Sequence, residues 1–150
     1  MDFNTVRDHL ISLNVSPRAP ATQHQLDAFE HRFRVNLPTD VKTNYSIMNG
    51  ADDWTDSHTS WIRFWPIEEW TPTTPEFASD DVFKSLSSYV FVCADYAIEC
   101  VFYVIDLDNA APTFGHVYSL GATRAGLTAT SFSEFIMKVA EDHGDLHSYG

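Results

Sequence analysis

Residues 22–50, TQHQLDAFEHRFRVNLPTDVKTNYSIMNG, restrict the fold more than any other part of the chain. They read as two helices joined at Leu37-Pro38 and stopped at Asn49-Gly50. Thr22 can accept a hydrogen bond from the Gln25 backbone N–H while the Gln25 side chain reaches back, the reciprocal box of a helix start. Leu26, Ala28, Phe29 and Phe33 then recur at helical spacing and define one apolar stripe. Pro38 supplies a preset φ and lacks an N–H that a first helical turn would leave unpaired. Asp40, in that first turn, suits the positive end of the helix dipole. Val41, Tyr45 and Met48 form the next stripe, and Gly50 can adopt the left-handed conformation that closes the helix. A side chain at such a position costs about 1 kcal/mol, which sets the expectation for Gly50→Ala.

The flanking sequence supplies the rest of the architecture. Asn4 or Thr5 can cap a first helix running to about Asn14, with Val6, Leu10, Ile11 and Leu13 apolar. Ser16-Pro17-Arg18-Ala19-Pro20 is an extended connector, because each proline disfavours helix at the residue before it. A polar loop over 51–60 follows Gly50. Residues 61–67 read as a strand whose Pro66 marks an end or a sheet edge. Glu68-Glu69-Trp70 can make one helical turn, and Thr71-Pro72-Thr73-Thr74-Pro75 breaks regular structure. Residues 89–94, 99–106 and 116–120 read as three more strands, and 121–126 as a loop. Ser131 caps a last helix, in which Glu134 offers a second capping box. Phe132, Phe135, Ile136 and Val139 are its core face, and Gly144 ends it. Helices, then strands, then a helix is the order of a single α+β domain over 1–150. Its N-terminal helices and C-terminal helix should pack on a mostly antiparallel sheet of four or more strands. Alternating βαβ units are absent, which argues against a nucleotide-binding parallel sheet.

Charge narrows the partners. Nine Lys plus Arg stand against 21 Asp plus Glu, a formal net charge of −12. Phosphates demand basic surface, so the balance argues against nucleic acid and, equally, against anionic membrane surfaces. Between Ala51 and Phe83 stand eight acids, Asp52, Asp53, Asp56, Glu68, Glu69, Glu76, Asp80 and Asp81, and one base, Arg63. More than half of the net charge therefore lies in about a fifth of the chain. No run approaches the ~18 apolar residues of a membrane span. MDFNTVRDHL lacks the apolar block of a signal peptide, so a cytoplasmic location is expected. Cys93 and Cys100 sit in strand-like apolar runs without metal-type spacing. They could be cross-strand neighbours if 95–98 is a turn, but a reducing cytosol favours two buried thiols over a disulfide.

Residues placed for chemistry are few. Asp52, Asp53, Asp56 and His58 could hold a hard cation, yet the Gly and terminal Glu of an EF-hand loop are missing, and a solvated acidic loop is the simpler reading. No Gly-x-Ser-x-Gly elbow or catalytic-cysteine context is present, and Gly121-Ala122-Thr123-Arg124-Ala125-Gly126 lacks P-loop spacing. No catalytic, metal or cofactor residue is therefore assigned. What is left is a surface. All four tryptophans, Trp54, Trp61, Trp65 and Trp70, fall inside the acidic region. Two of the four are expected in the core, and Trp54, beside Asp53, is the one most suited to exposure. Trp at a protein interface buries large area at low entropy cost. The expected partner-binding residues are Asp52, Asp53, Trp54, Asp56, Glu68, Glu69, Trp70, Asp80 and Asp81.

Taken together, these features resemble one family. Phe29-Glu30, Leu37-Pro38-x-Asp40 and the helix ending in Asn49-Gly50 are similar to the N-terminal signature of the SUKH superfamily. That group includes the fungal cell-wall assembly regulator and many bacterial immunity proteins that neutralise secreted toxins. Tyr89-Val90-Phe91-Val92 resembles its central strand, and Tyr103-Val104-Ile105-Asp106 and Gly115-His116-Val117-Tyr118 resemble the two strands after it. Ser131-Phe132-Ser133-Glu134-Phe135-Ile136 resembles its closing helix. Where many members carry a Gly-rich turn, this chain has Asp95-Tyr96-Ala97-Ile98-Glu99. The resemblance implies a non-catalytic, protein-binding immunity module. The charge distribution fits it independently: a toxin that cuts or modifies nucleic acid has a basic active face, which an acidic, aromatic surface would attract and block. The expected partner is thus a basic, nuclease-type toxin domain. Two readings of other classes stand beside it, an intracellular regulatory scaffold of the cell-wall-assembly-regulator type and a metal-dependent hydrolase built on the loop from Asp52 to His58.

Overall fold

A computed structural model describes residues 3–12, 17–51, 62–73, 89–96, 101–120 and 125–141 of the chain. Among them lie the helices α1 (Phe3–Ser12), α2 (Gln23–Phe33), α3 (Thr39–Tyr45) and α4 (Phe132–Glu141). The strands are β1 (Ile62–Phe64), β2 (Thr71–Pro72), β3 (Val90–Tyr96), β4 (Val101–Asp106), β5 (Val117–Leu120) and β6 (Ala125–Ala129). A 3₁₀ turn, Ile67–Glu69, stands between β1 and β2. Every strand pair is antiparallel, in the order β1-β3-β4-β5-β6, with β2 following β1 along the same edge of β3. This is the α+β architecture that the sequence pattern predicts. No helix among the described residues is long and apolar enough to cross a membrane.

The helices meet the sheet through aromatic rings. Directly paired residues of an antiparallel ladder point to the same side, so Phe64, Ala94 and Tyr103 share a face with Phe91 and Ile105. Phe91 lies 5.5 Å from Phe29 and 5.0 Å from Phe33 of α2, centroid to centroid. Phe64 touches Phe3, Phe132 and Phe135, and Tyr103 sits 5.1 Å from Phe135. The expected anchors of α2 and α4 are therefore in place. On α1 the buried residues include Phe3 and Val6, whereas Ile11 is 56% exposed. That helix begins at Phe3 rather than behind a cap at Asn4 or Thr5. Its first N–H donates to Asn44 Oδ1 of α3 at 2.8 Å, so a distant side chain does the work of a local cap.

Each short motif of the N-terminal half has a tertiary partner. The Thr22–Gln25 capping box forms as expected, at 3.1 and 2.8 Å. The Glu30 carboxylate accepts from the Leu37 N–H at 2.8 Å and pairs with Lys42, which fixes the Leu37-Pro38 corner. Asp40 accepts at 2.9 Å from the Ser133 N–H, in the first turn of α4. There it works beside Ser131, whose hydroxyl accepts from the Glu134 N–H. The Glu134 carboxylate accepts from the Thr130 hydroxyl and pairs with Lys138 rather than completing a box at Ser131. Those two contacts, Thr130 foremost, hold its carboxyl below the usual range.

Gly50 does not close a helix. α3 ends at Tyr45, because the Ser46 hydroxyl takes the Lys42 carbonyl and the Ile47 N–H tightens onto Asn44. Met48, Asn49 and Gly50 instead run between Ala19 and the sheet edge, with the Asn49 N–H donating to Ala19 O and the Ala51 N–H to Phe64 O. Gly50 does have positive φ, +66°, but the stronger constraint is space. A Cβ there would lie 2.6 Å from Phe64 O and 2.7 Å from Pro66 N. Asn49 completes the joint: its Oδ1 accepts from the Ile67 N–H, and its Nδ2 donates to Glu68. Beneath it the Tyr45 hydroxyl donates to Trp65 O at 2.6 Å, and the Trp70 indole N–H reaches both of these oxygens. Burial pushes the Tyr45 hydroxyl well above its ordinary range, so it stays a donor.

Two strands fall where loops are expected. Thr71-Pro72 pairs with Phe91 and Val92, and a proline is tolerated there because the strand lies at the sheet edge. Ala125-Gly126, read as loop, opens β6 in pairing with β5; its small residues carry little strand preference, and the ladder imposes the conformation. Cys93 occupies a bulge in β3, fully buried, with its thiol donating to Tyr103 O. Its flanking residues pair with Val104 and Tyr103, and it is a free thiol; Cys100 lies outside the described residues.

Two outcomes follow from this packing. Gly50→Ala should cost about 3 kcal/mol, more than conformational preference alone, because backbone atoms rather than a flexible side chain must give way. Thermal unfolding should drop by roughly 10 °C; a drop near 2 °C would mean that the contact relaxes freely. Burial pushes the Cys93 thiol far above its usual range. In a Cys100→Ser variant the remaining thiol should stay unreactive toward a disulfide reagent until denaturant is added, and rapid native labelling would contradict its burial.

Candidate interaction site

The 3₁₀ turn brings two of the expected partner-binding residues to the surface and turns a third inward. Glu68 and Glu69 are exposed. Both are already held by cations: Glu68 by Arg18 at 3.0 Å, and Glu69 by both of its oxygens on Arg63 at 2.9 Å. Trp70 was expected on the partner-facing surface and is instead 2% exposed. It packs edge-on against Phe29 and Tyr45, and its N–H is satisfied within the fold. It is a core residue. Trp65 is also buried, donating its indole N–H to Asp95 Oδ1 at 2.6 Å. Asp52, Asp53, Trp54, Asp56, Asp80, Asp81 and Trp61 lie outside the described residues.

The framework fixes where the two acidic segments are attached. Segment 52–61 leads into Ile62, which pairs with Tyr96 at one end of β3. Segment 74–88 leaves from Thr73, whose N–H donates to Val90 O at the other end. Seven residues of strand separate the two ends, or about 20 Å at ~3.3 Å per residue. Glu68 and Glu69 stand between them, on the edge formed by β1 and β2.

Against the same turn lies a feature absent from the sequence expectations. A cleft of about 210 Å³ opens between α2 and the 3₁₀ turn, lined by Ala28, Phe29, Arg32, Phe33, Ile67 and Glu68. Ala28 and Arg32 are one helical turn apart and exposed, and the Phe33 ring is half-buried against Phe91. The Arg32 guanidinium lies 4.8 Å from the centre of the Phe33 ring. Ala28 belongs to the apolar stripe read from sequence, but it faces out, and the Arg32-Phe33 pair at the helix end is the signal that could have marked this wall. Among the described residues, no group of three or more His, Cys, Asp or Glu could hold a metal ion. The acidic loop from Asp52 to His58, considered above as a cation site, lies outside them.

The comparisons with known proteins bear on this arrangement through the fold. A search of curated proteins found no match. The model of the SMI1 / KNR4 family (SUKH-1) matches residues 20–138, which run from just before α2 into α4 and take in every motif whose tertiary partner is described above. The chain therefore belongs to the SMI1 / KNR4 family, SUKH-1.

Proposed function

We propose that the protein is an immunity-type binding module that neutralises a basic, nuclease-type toxin domain by occluding its active face. Membership of the family supports a non-catalytic module of immunity or regulator type. The observation that carries the finer reading is the charge distribution, eight acids against one base between Ala51 and Phe83. Opposite charge accelerates encounter and selects a basic partner, and the attraction fades as salt shortens its range to about 8 Å at physiological strength. Asp52, Asp53 and Asp56 supply one acidic group, Asp80 and Asp81 a second, and Glu68 and Glu69 a fixed rim on the sheet edge between the points where the two segments attach. Arg18 and Arg63 offset part of the rim's charge, so the loop acids carry most of the steering. Trp54 is the proposed apolar anchor, a role that the buried Trp70 cannot share. Occlusion of this kind needs no cofactor, and the work is done in the cytoplasm before the toxin reaches nucleic acid.

The test is surface-binding kinetics against a candidate basic toxin domain at two salt concentrations. Reversing Asp52, Asp53 and Asp56 together to Lys should lower the association rate about tenfold at low salt while leaving the melting temperature nearly unchanged. A separate reversal of Asp80 and Asp81 decides whether one acidic group or both meet the partner, since their attachment points are far apart. Trp54→Ala should instead raise the dissociation rate. Binding insensitive to salt and to both reversals would remove the acidic surface from the interface. Catalytic turnover by the purified protein alone would remove the binding-module reading.

A further inference from the structure

We propose that the cleft between α2 and the 3₁₀ turn is a second recognition site, one that receives an acidic–apolar segment of a partner protein. One side chain of Leu or Phe size would sit in the cleft, and a neighbouring Asp or Glu would pair with Arg32. Size argues for a side chain: about 210 Å³ falls below the ~300 Å³ at which small-molecule sites begin. The lining argues for an apolar one, with Phe29 and Ile67 as floor and the Phe33 ring as end wall. Charge argues for an acid beside it. Glu68, on the far wall, is already engaged by Arg18 and Asn49. Arg32 makes its contact with the face of Phe33, and no carboxylate among the described residues pairs with it. A guanidinium lying over a ring still directs its N–H edge outward, in the fork geometry that a carboxylate fits with two parallel hydrogen bonds. His24 adds a further donor on the same helical wall. The cleft is therefore an apolar seat with one guanidinium, Arg32, at its helical wall, on a protein whose net charge is −12. An acidic segment that the net charge disfavours meets a guanidinium here.

The wall is also rigid. Ala28 with Arg32, and Phe29 with Phe33, are i,i+4 neighbours on one helix face, and the opposite wall is pinned to Asn49 through the Ile67 N–H. Little ordering is left to be done on binding, which favours affinity. This site rests on the proposed function only in so far as the chain is a protein-binding module, and it requires neither the acidic loops nor a toxin.

Three capped peptides serve as probes in amide-shift titrations of the isotope-labelled full chain: Ac-Asp-Leu-Phe-Asp-NH2, the neutral Ac-Asn-Leu-Phe-Asn-NH2, and Ac-Asp-Ala-Ala-Asp-NH2. The first should give saturable shifts centred on Ala28, Arg32 and Phe33, and each of the others should bind about tenfold more weakly or worse. Arg32→Gln should bring the acidic peptide down to the affinity of the neutral one. Ala28→Trp, at an exposed position, should fill the mouth and abolish the shifts while the spectrum keeps its native dispersion. No saturable response on α2, or equal affinity for the acidic and neutral peptides, would overturn the proposal. Failure of the toxin reading would appear in the salt-dependent kinetics and leave these titrations unchanged.

Discussion

The approach of Gly50 to the backbone of residues 64–66 is the contact on which the rest of the structure hangs. It brings the end of the helical half to the first edge of the sheet at a distance that excludes even one methyl group. Everything nearby is arranged to hold that closeness. Asn49 spends both ends of its amide on the 3₁₀ turn. Tyr45, Trp65 and Trp70 close a hydrogen-bonded knot under it, in which the two buried donors find acceptors. A buried donor left unpaired would cost about 1–3 kcal/mol, so the knot can be rebuilt only as a unit. α2 and α4 then have a fixed surface on which to lay their phenylalanines.

The outline of this fold could be read from the chain, and the reasons for it could not. Thr22 and Gln25 meet within one helical turn, so the capping box was legible locally. Glu30, Asp40 and Asn49 were visible as parts of a motif, but their partners, Leu37, Ser133 and Ile67, lie 7, 93 and 18 residues away. No local pattern distinguishes a carboxylate that caps a distant helix from one that merely suits a dipole. β6 was missed because alanine and glycine announce a turn, while the β5 ladder decides the matter. Trp70 was misplaced for a related reason. It sits among glutamates in sequence, yet its burial depends on Tyr45 and Trp65 O being there to satisfy the indole.

The same comparison separates motif from site. The residues that resemble the family signature are consumed by architecture: one turns a corner, one ties α4, one locks the 3₁₀ turn, and one makes room. Of the signature residues only Phe29 also lines the cleft beside the 3₁₀ turn. Four of the described cations, Arg18, Lys42, Arg63 and Lys138, each hold a carboxylate in place. Arg18–Glu68, the pair open to solvent on both sides, contributes little stability, typically under about 1 kcal/mol. The effect of the four is to position the turn and the helix ends. Arg32 differs from these four, resting on a ring instead of an acid.

The bond from Asp40 to Ser133 has a bearing on how the protein is made. Phe132, Phe135 and Ile136 are fully buried against elements that include the N-terminal helix and the first strand. On a ribosome adding about 5–20 residues per second, the 93 residues between Asp40 and Ser133 take roughly 5 to 20 s to appear. Throughout that interval Phe3, Tyr45 and Phe64 lack the rings of α4 that pack on them in the finished fold. The rings beneath α4 are covered only when that helix emerges, so a chaperone that shields aromatic surface would have its longest claim on this protein until then.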